Sequence, residues 1–204
     1  MRMEVDVAGV RVVIVPVIRG LVSERSRVRD AVAEVRPLVI GLSISPEDLA
    51  AVRAGPGGDP GPLGSEEEAY VAGLSLFSEV EKPLGCFVEG IAVADRLGIP
   101  VHPLDMDDEA FSSAYMEAVS AWEFIRSGAR ASRIHRWRPR ADTPEAFVLA
   151  WDARVNRSRG LRALQRRRED HMALRIREIA QDRGPVLALV ELERAKGVVD
   201  RVRG

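Results

Sequence analysis

Two short apolar segments, separated by one amphipathic helix, constrain the fold of this chain more than any other feature of its sequence. The first, Val12-Val13-Ile14-Val15, is apolar at successive positions, which is typical of a strand covered on both faces. The second runs from Leu38 to Leu42. Between them, Val28 and Val32 mark one face of a helix that is expected to end before Pro37. This β-α-β unit predicts parallel pairing with a right-handed crossover.

The rest of the chain continues this alternation of strands and helices. Residues 5–18 are rich in valine and are interrupted by Ala8-Gly9, which predicts a hairpin at the N-terminus. Further short buried strands are predicted at 100–104 and 186–190, each after a helical segment. We therefore expect a single α/β domain over residues 1–204, in which helices flank a mostly parallel sheet with an N-terminal hairpin.

A segment rich in glycine and proline interrupts the pattern at residues 55–64. Eight of its ten residues are glycine or proline, so we predict a loop there. No strand leads into the segment and no Gly-Lys-Ser or Gly-Lys-Thr follows it, which argues against a phosphate-binding loop. A connecting loop and a flap over a substrate both fit this composition, and the connecting loop is the preferred interpretation.

Composition excludes several classes of protein. The 204 residues include 30 Lys and Arg against 31 Asp and Glu, a formal net charge of -1, whereas nucleic-acid-binding domains are usually basic overall. Cys86 is the only cysteine, which excludes an intramolecular disulfide and a metal site built from several cysteines. The N-terminus lacks a signal-peptide pattern, and the longest apolar run, Val12 to Ile18, is too short to span a bilayer. A cytoplasmic protein without a membrane span is expected.

Residues 107–127 are predicted to form one helix with apolar side chains at helical spacing. These positions include Phe111, Tyr115, Trp122 and Ile125. Because such a stripe usually packs into the core, we expect these side chains to be buried.

The best local candidate for a site lies at the end of the strand predicted at 100–104. His102, Asp105 and Asp107 lie close together in the sequence there, and ligands gather at the carboxyl ends of strands in open parallel sheets. An imidazole and carboxylates could together bind a divalent metal. The preferred interpretation is that Asp105 stabilises a turn and Asp107 a helix N-terminus, because no second group of metal ligands is evident elsewhere in the sequence.

A second candidate is the basic run from Arg157 to Arg168. Together with the arginines around Trp137, it could contact the phosphate backbone of a nucleic acid. The alternative is a solvated helix face whose arginines pair with acidic residues such as Glu169 and Glu178. The near-zero net charge favours the solvated face over nucleic-acid binding.

Three stretches covering most of the chain resemble the TraB/PrgY family, whose relatives include the Tiki-type proteins. In the first stretch, a strand leads into Leu21-Val22-Ser23, where the family has Gly-Thr-Ala-His-Val-Ser after its strand. A helix follows in both, and the segment from Ala33 to Ile40 is then similar to the family's Glu-x-x-Arg-Pro-Asp and the start of its next strand. Leu104-Asp105-Met106-Asp107 resembles the family's Ile-Asp-Arg-Asp. The segment from Arg168 to Ala173, followed by Ile176, resembles Arg-Asp-x-x-Met-Ala-x-x-Ile and is the most specific of the three.

The resemblance also shows what this chain lacks. The family's proposed activity, metal-dependent hydrolysis of peptides, rests on two Gly-x-x-His motifs and on a glutamate after the second strand. Here Leu21 and Arg194 stand in place of the two histidines, and Ser43 stands near the position of the glutamate. Leucine cannot ligate a metal, and arginine would repel one.

These replacements predict a non-catalytic protein with a binding or regulatory role and no cofactor. Arg168, from the best-matched motif, and Arg194 are its candidate ligand-binding residues. The resemblance makes an active relative a candidate partner, and the apolar helix faces would permit a homo-oligomer.

The competing prediction is a metal-dependent hydrolase or peptidase with a rebuilt site. Asp105 and Asp107 lie with His102 at one predicted strand end, and Glu191 and Glu193 follow another. Because the carboxyl ends of parallel strands meet at one edge of a sheet, these groups could hold a divalent metal or act as acid and base.

Overall fold

The computed structural model describes residues 2–55, 63–131, 134, 137, 140–182 and 184–204. It contains five strands and nine helices within these residues. In chain order they are β1 (Met3–Val7), β2 (Val10–Val17), α1 (Ser23–Val35), β3 (Val39–Leu42), α2 (Pro46–Ala54), α3 (Ser65–Leu74), α4 (Gly85–Leu97), β4 (Val101–Pro103), α5 (Asp108–Ala118), α6 (Ala121–Ala131), α7 (Pro144–Val155), α8 (Arg159–Asp182), β5 (Val186–Glu191) and α9 (Leu192–Arg203).

The five strands form one mostly parallel sheet in the order β1-β2-β5-β3-β4, which confirms the predicted α/β class and the N-terminal hairpin. Strand β1 pairs antiparallel with β2, and all the other neighbours are parallel. The predicted unit of β2, α1 and β3 is present, but its two strands are not neighbours, because β5 lies between them. All six residues of β5 are buried, so this last strand of the chain forms the centre of the sheet.

Helices cover both faces of the sheet, as the successive apolar positions of β2 predict. Val13 and Val15 face one side, where α1 and α4 contribute Val28 and Phe87. Ile14 belongs to the cluster on the opposite side, which is built from α8 and α9. Alternate residues of a strand point to opposite faces, so two apolar clusters complete a three-layer arrangement.

A third apolar cluster lies beyond the carboxyl ends of the strands. It joins Tyr70 of α3 to Phe147 and Trp151 of α7, and it includes Ile18 and Leu21 from the segment after β2. The rings of Tyr70 and Trp151 meet edge-on, with centroids 5.6 Å apart. This cluster holds α3 and α7 over one half of the sheet edge.

The hairpin turn at Ala8-Gly9 carries backbone strain. Both residues adopt positive φ, 51° and 85°, as the tight turn of a two-residue hairpin requires. Glycine adopts this conformation readily, whereas alanine does so at a cost in free energy. Asparagine is the residue most often found at the first of these two positions.

Ala8→Asn is therefore expected to raise the free energy of unfolding by about 0.5–1 kcal/mol. Urea denaturation of the two proteins measures this difference. Ala8→Val is the control, and it should be less stable than the wild type because a β-branched side chain tolerates positive φ poorly. A destabilised Ala8→Asn variant would contradict this account of the turn.

The predicted helix at 107–127 is two helices, and the prediction that its apolar side chains are buried is wrong for several of them. Trp122 is 64% exposed and Ile125 is 61% exposed. The break follows α5, where Ser120 caps α6: its hydroxyl accepts from the backbone of Glu123, and Glu123 accepts from the Ser120 backbone in return. This Ser-x-x-Glu capping box is visible in the sequence, and it marks the start of a new helix.

Most of the glycine- and proline-rich segment predicted as a loop lies outside the described residues, since these stop at 55 and resume at 63. No helix among the described residues is long and apolar enough to cross a membrane.

Candidate functional site

Charged and polar side chains follow each of the four parallel strands at the edge where the strands end. Arg19 follows β2, Ser43 follows β3, Asp105 follows β4, and Glu191 is the last residue of β5. The hydroxyl of Ser43 accepts a hydrogen bond from the backbone N–H of Glu191 at 3.0 Å, with both residues buried. These four residues occupy the edge at which ligands bind in open α/β sheets.

A row of ion pairs connects these strand ends, and we call it the central row. It runs from Arg19 through Glu191 and Arg168 to Asp105. The guanidinium of Arg168, on α8, binds the Asp105 carboxylate through two nitrogens, with Nε 3.1 Å from Oδ2. Its Nη2 lies 3.9 Å from Oε2 of Glu191, and Nε of Arg19 lies 2.9 Å from Oε1 of Glu191.

The charges of the central row compensate one another. Glu191 is the main cause of the raised pKa of Arg19. Nε of Arg19 is buried and forms no aligned hydrogen bond, so its contact with Glu191 is chiefly electrostatic. Since an unpaired buried charge is costly, the arginines and carboxylates of the row depend on one another.

Two amide side chains extend the network from Arg168 toward α7. Nη1 of Arg168 donates to Oε1 of Gln165 at 2.8 Å. Gln165 then donates to Oδ1 of Asn156 at 3.0 Å, and Asn156 donates to Asp152 at 2.7 Å. The amide groups thus connect the central row to a second set of charges.

This second set is centred on Arg194 of α9. Its guanidinium forms ion pairs with Asp152 and with Glu169, whose Oε1 lies 3.3 Å from Nη1. Glu169 also binds Arg201 at 2.9 Å. Burial lowers the pKa of Arg194 to about 10, so the side chain remains charged near neutral pH.

Two cavities lie on either side of the central row, and Arg19, Arg168 and Glu191 line both. The polar cavity has a volume of about 160 Å³ and is bordered by α3 and α7. The wider cavity has a volume of about 380 Å³ and is bordered by α2 and α5. Ser43 and Asp105 line the wider cavity, whereas Arg194 and Glu193 line the polar one.

Two side chains in the polar cavity form no ion pair or hydrogen bond with another side chain among the described residues, although the charge of Arg19 acts on both at longer range. Tyr70 is only 6% exposed, and its hydroxyl forms no hydrogen bond within this part of the chain. Glu193, in the first turn of α9, forms no ion pair there either. Burial, reinforced by the charge of Glu191, raises the pKa of Glu193 to about 7.

The predicted site residues are only partly brought together. Asp105, Arg168 and Glu191 meet in the central row, and Glu193 lines the adjacent polar cavity. Asp107 instead caps α5, where its Oδ1 accepts from the backbone of Ala110 at 2.7 Å.

The metal set of His102, Asp105 and Asp107 is not assembled by the fold. The pKa of His102 is lowered by burial and by the nearby Arg175, which provides a cationic rather than an acidic environment. The carboxylate of Asp105 already forms an ion pair with Arg168. Across the described residues, no three His, Cys, Asp or Glu side chains converge so that they could hold a metal ion.

The three positions at which the chain departs from the TraB/PrgY pattern have different surroundings. Leu21 is buried in the third apolar cluster and forms an isolated bridge with Val80. Ser43 lines the wider cavity, and Arg194 lines the polar one. Packing therefore fills the first position, while the other two remain at the cavity walls.

Several lining residues are absent from the predicted site, namely Arg19, Tyr70, Asp152, Asn156 and Gln165. Arg19 could have been predicted from the sequence as a site residue, because it is the first charged residue after a buried strand. No sequence feature identified Tyr70 or Asp152, since both lie on helices that are far along the chain from the strand ends.

The basic run at Arg157–Arg168 does not form a uniform basic face. Arg168 points into the central row and is mostly buried, whereas its neighbour Arg167 pairs with Glu117 on the surface. Nucleic-acid contact through this run remains a prediction.

The arrangement can bind and orient a small polar molecule, but it lacks an activated nucleophile of the cysteine type. Cys86 lies on α4 and is buried in the apolar cluster between this helix and the sheet, and burial raises the pKa of its thiol. A comparison with models of known protein families and one with curated protein sequences both give no match.

Proposed function

We propose that this chain is a non-catalytic binding protein, similar to the TraB/PrgY family in its segment order, with its ligand site in the two cavities at the sheet edge. The single observation that carries the proposal is the central row. Arg19, Arg168 and Arg194 are each paired with a carboxylate, and the last two, the candidate ligand-binding residues, form part of the cavity walls. This leaves a preformed recess at the edge that α/β proteins use for ligands.

The same geometry weakens the alternative of a metal-dependent hydrolase. Its carboxylates would have to bind metal, yet Asp105 and Glu191 are already engaged with arginines. A cation at this position would face Arg19 and Arg168 within the same walls. A metal-dependent hydrolase or peptidase with the rebuilt carboxylate site of Asp105, Asp107, Glu191 and Glu193 remains the competing prediction.

The purified protein is expected not to cleave fluorogenic peptides in the presence of Zn²⁺, Mn²⁺ or Co²⁺ faster than each metal does alone. Asp105 and Glu191 are engaged by arginines, and no metal-binding group is assembled among the described residues. Peptide cleavage is followed by fluorescence, and bound metal is measured by elemental analysis. Turnover that disappears in both Asp105→Asn and Glu193→Gln would contradict the proposal and establish the hydrolase. Glu68→Gln, an exposed change on α3, is the control for contaminating peptidases.

The predicted homo-oligomer or related protein partner and the cytoplasmic location stay predictions. Such a partner would cover the most exposed of the large apolar side chains of α5 and α6. They are Met116, Trp122, Phe124 and Ile125.

A further inference from the structure

Among the described residues, the carboxylates that line the polar cavity outnumber the arginines. Its arginines are Arg19, Arg168 and Arg194, and each is engaged by a carboxylate of the network. Two carboxylates of the lining, Glu193 and Glu66, have no arginine or lysine within ion-pair distance among the described residues. Glu193 and the exposed Glu66 thus form no ion pair of their own there, although the charge of Arg19 acts on both at longer range.

The Tyr70 hydroxyl provides an independent sign that a ligand belongs here. Tyr70 lines the cavity, and its ring is fixed by edge contact with Trp151, whose centroid lies 5.6 Å away. Buried tyrosine hydroxyls normally have a hydrogen-bond partner. Tyr70 as a whole is only 6% exposed and its hydroxyl has no partner within the described residues, so the cavity contains an unused donor and acceptor.

The size of the cavity limits the ligand. A volume of about 160 Å³ is close to that of a cavity that admits a six-carbon ring, roughly 150 Å³. Trp151 and Val155 of α7 supply an apolar part of the wall, whereas Glu66 and Glu193 lie on other elements, α3 and α9. A molecule with one polar end and a short apolar body fits these dimensions.

We propose that the polar cavity binds a small primary amine, whose ammonium group forms an ion pair with Glu193 and donates a hydrogen bond to the Tyr70 hydroxyl. The inference rests on the proposed binding function and specifies the ligand class of the same site. An ammonium supplies three donors and a cation at ion-pair distance for Glu193, which has none among the described residues. A carboxylate ligand would instead have to displace Glu191, Asp105 or Asp152 from the arginines they already bind.

Amine binding depends on the protonation of Glu193. The pKa of this carboxyl group is raised above its ordinary value, so it changes charge near neutral pH. The charged and titratable groups that face it are Glu191, Arg19, Arg168 and Tyr70, with Glu66, Asp152 and Arg194 also in the lining. Only the ionised carboxylate pairs with an ammonium, so affinity is expected to rise about tenfold between pH 6 and pH 8.

Titration of the full-length protein with n-butylamine, butyrate and n-butanol, followed by ¹H–¹⁵N NMR, tests this inference. We expect n-butylamine to shift resonances of α3, α7 and α9 and the other two probes to have no effect. Glu193→Gln should weaken amine binding by more than about tenfold and remove its pH dependence, and Tyr70→Phe should weaken it about fivefold. Glu68→Gln is the matched control and should bind as the wild type does.

Each outcome separates the ligand class from the proposed function. Binding of butyrate or n-butanol to the same resonances, with no binding of n-butylamine, overturns the amine inference and leaves the binding function intact. Amine binding that Glu193→Gln and Tyr70→Phe leave unchanged also overturns the inference, because the ligand then lies elsewhere. Failure of all three probes overturns it too, whereas the binding function itself falls only if the peptidase assay shows turnover. Circular dichroism of both variants verifies that they are folded.

Discussion

Phe147→Ala is expected to lower the free energy of unfolding by about 4 kcal/mol, the largest effect we predict for a single substitution. Phe147 is 1% exposed, and the centroid of its ring lies 5.7–5.8 Å from the ring centroids of Phe77, Tyr70 and Trp151. It packs directly on the backbone of Gly73, where a Cβ atom would lie 2.4 Å from the ring. Truncation therefore leaves a cavity that the two helices cannot close by small shifts.

Phe124→Ala is the matched control, because it removes the same side chain from a position that is 60% exposed. It is expected to cost less than about 1 kcal/mol. Chemical denaturation followed by circular dichroism gives both values. Similar losses for the two variants would show that the third apolar cluster does not hold α3 and α7 over the sheet edge.

Arg168→Ala is expected to destabilise the protein by about 3 kcal/mol, because it leaves the Asp105 carboxylate buried without its cation and leaves Glu191 with Arg19 alone. The side chain of Asp105 is 9% exposed and that of Glu191 is 7% exposed, whereas Arg168 itself retains 19%. The residual exposure of Arg168 places the effect at the lower end of the range for buried ion pairs. The measurement is the midpoint and slope of urea unfolding at neutral pH.

The neighbouring Arg167→Ala provides the control, because Arg167 pairs with Glu117 at the surface. Exposed pairs contribute little, so a loss of less than about 1 kcal/mol is expected. Adding Asp105→Asn to Arg168→Ala should restore part of the stability, since the double variant no longer buries an unpaired Asp105 charge. Equal losses from Arg167→Ala and Arg168→Ala would show that the central row is not a structural element.

Much of the fold follows from local patterns. Apolar residues at successive positions of β2 require helices on both faces, and such helices are found there. Caps are equally local: Ser45 accepts from the backbone of Asp48, and Thr143 accepts from that of Ala146. The strand pattern and the caps both depend on residues within a few positions of one another, so the sequence determines them.

The burial predicted for residues 107–127 was wrong for an instructive reason. The helical spacing of Trp122 and Ile125 is real, but periodicity identifies a face without indicating what covers it. The capping box at Ser120 starts a new helix, and Glu123 is held by the backbone of Gly160 at 2.9 Å. Glu123 of α6 thus contacts the protein, while Trp122 and Ile125 are exposed.

The candidate site was predicted in its position but not in its pairings. The rule that ligands gather at strand carboxyl ends identified Asp105 and Glu191, and the resemblance identified Arg168 and Arg194. The sequence could not show that Arg168 forms an ion pair with Asp105 or that Glu193 lines a cavity together with Tyr70. Those contacts join residues on elements that are far apart in the chain.

The sequence by itself determined the class of fold, the N-terminal hairpin and the ends of most helices, because short-range apolar and capping patterns specify them. Only the tertiary structure decided which charges meet. The insertion of β5 between β2 and β3 brings Glu191 beside Arg19 and Ser43, the latter 148 positions earlier in the chain. Strand order depends on the free energy of packing the whole sheet, and no local pattern encodes it. The same insertion creates the central row and the cavities on either side of it.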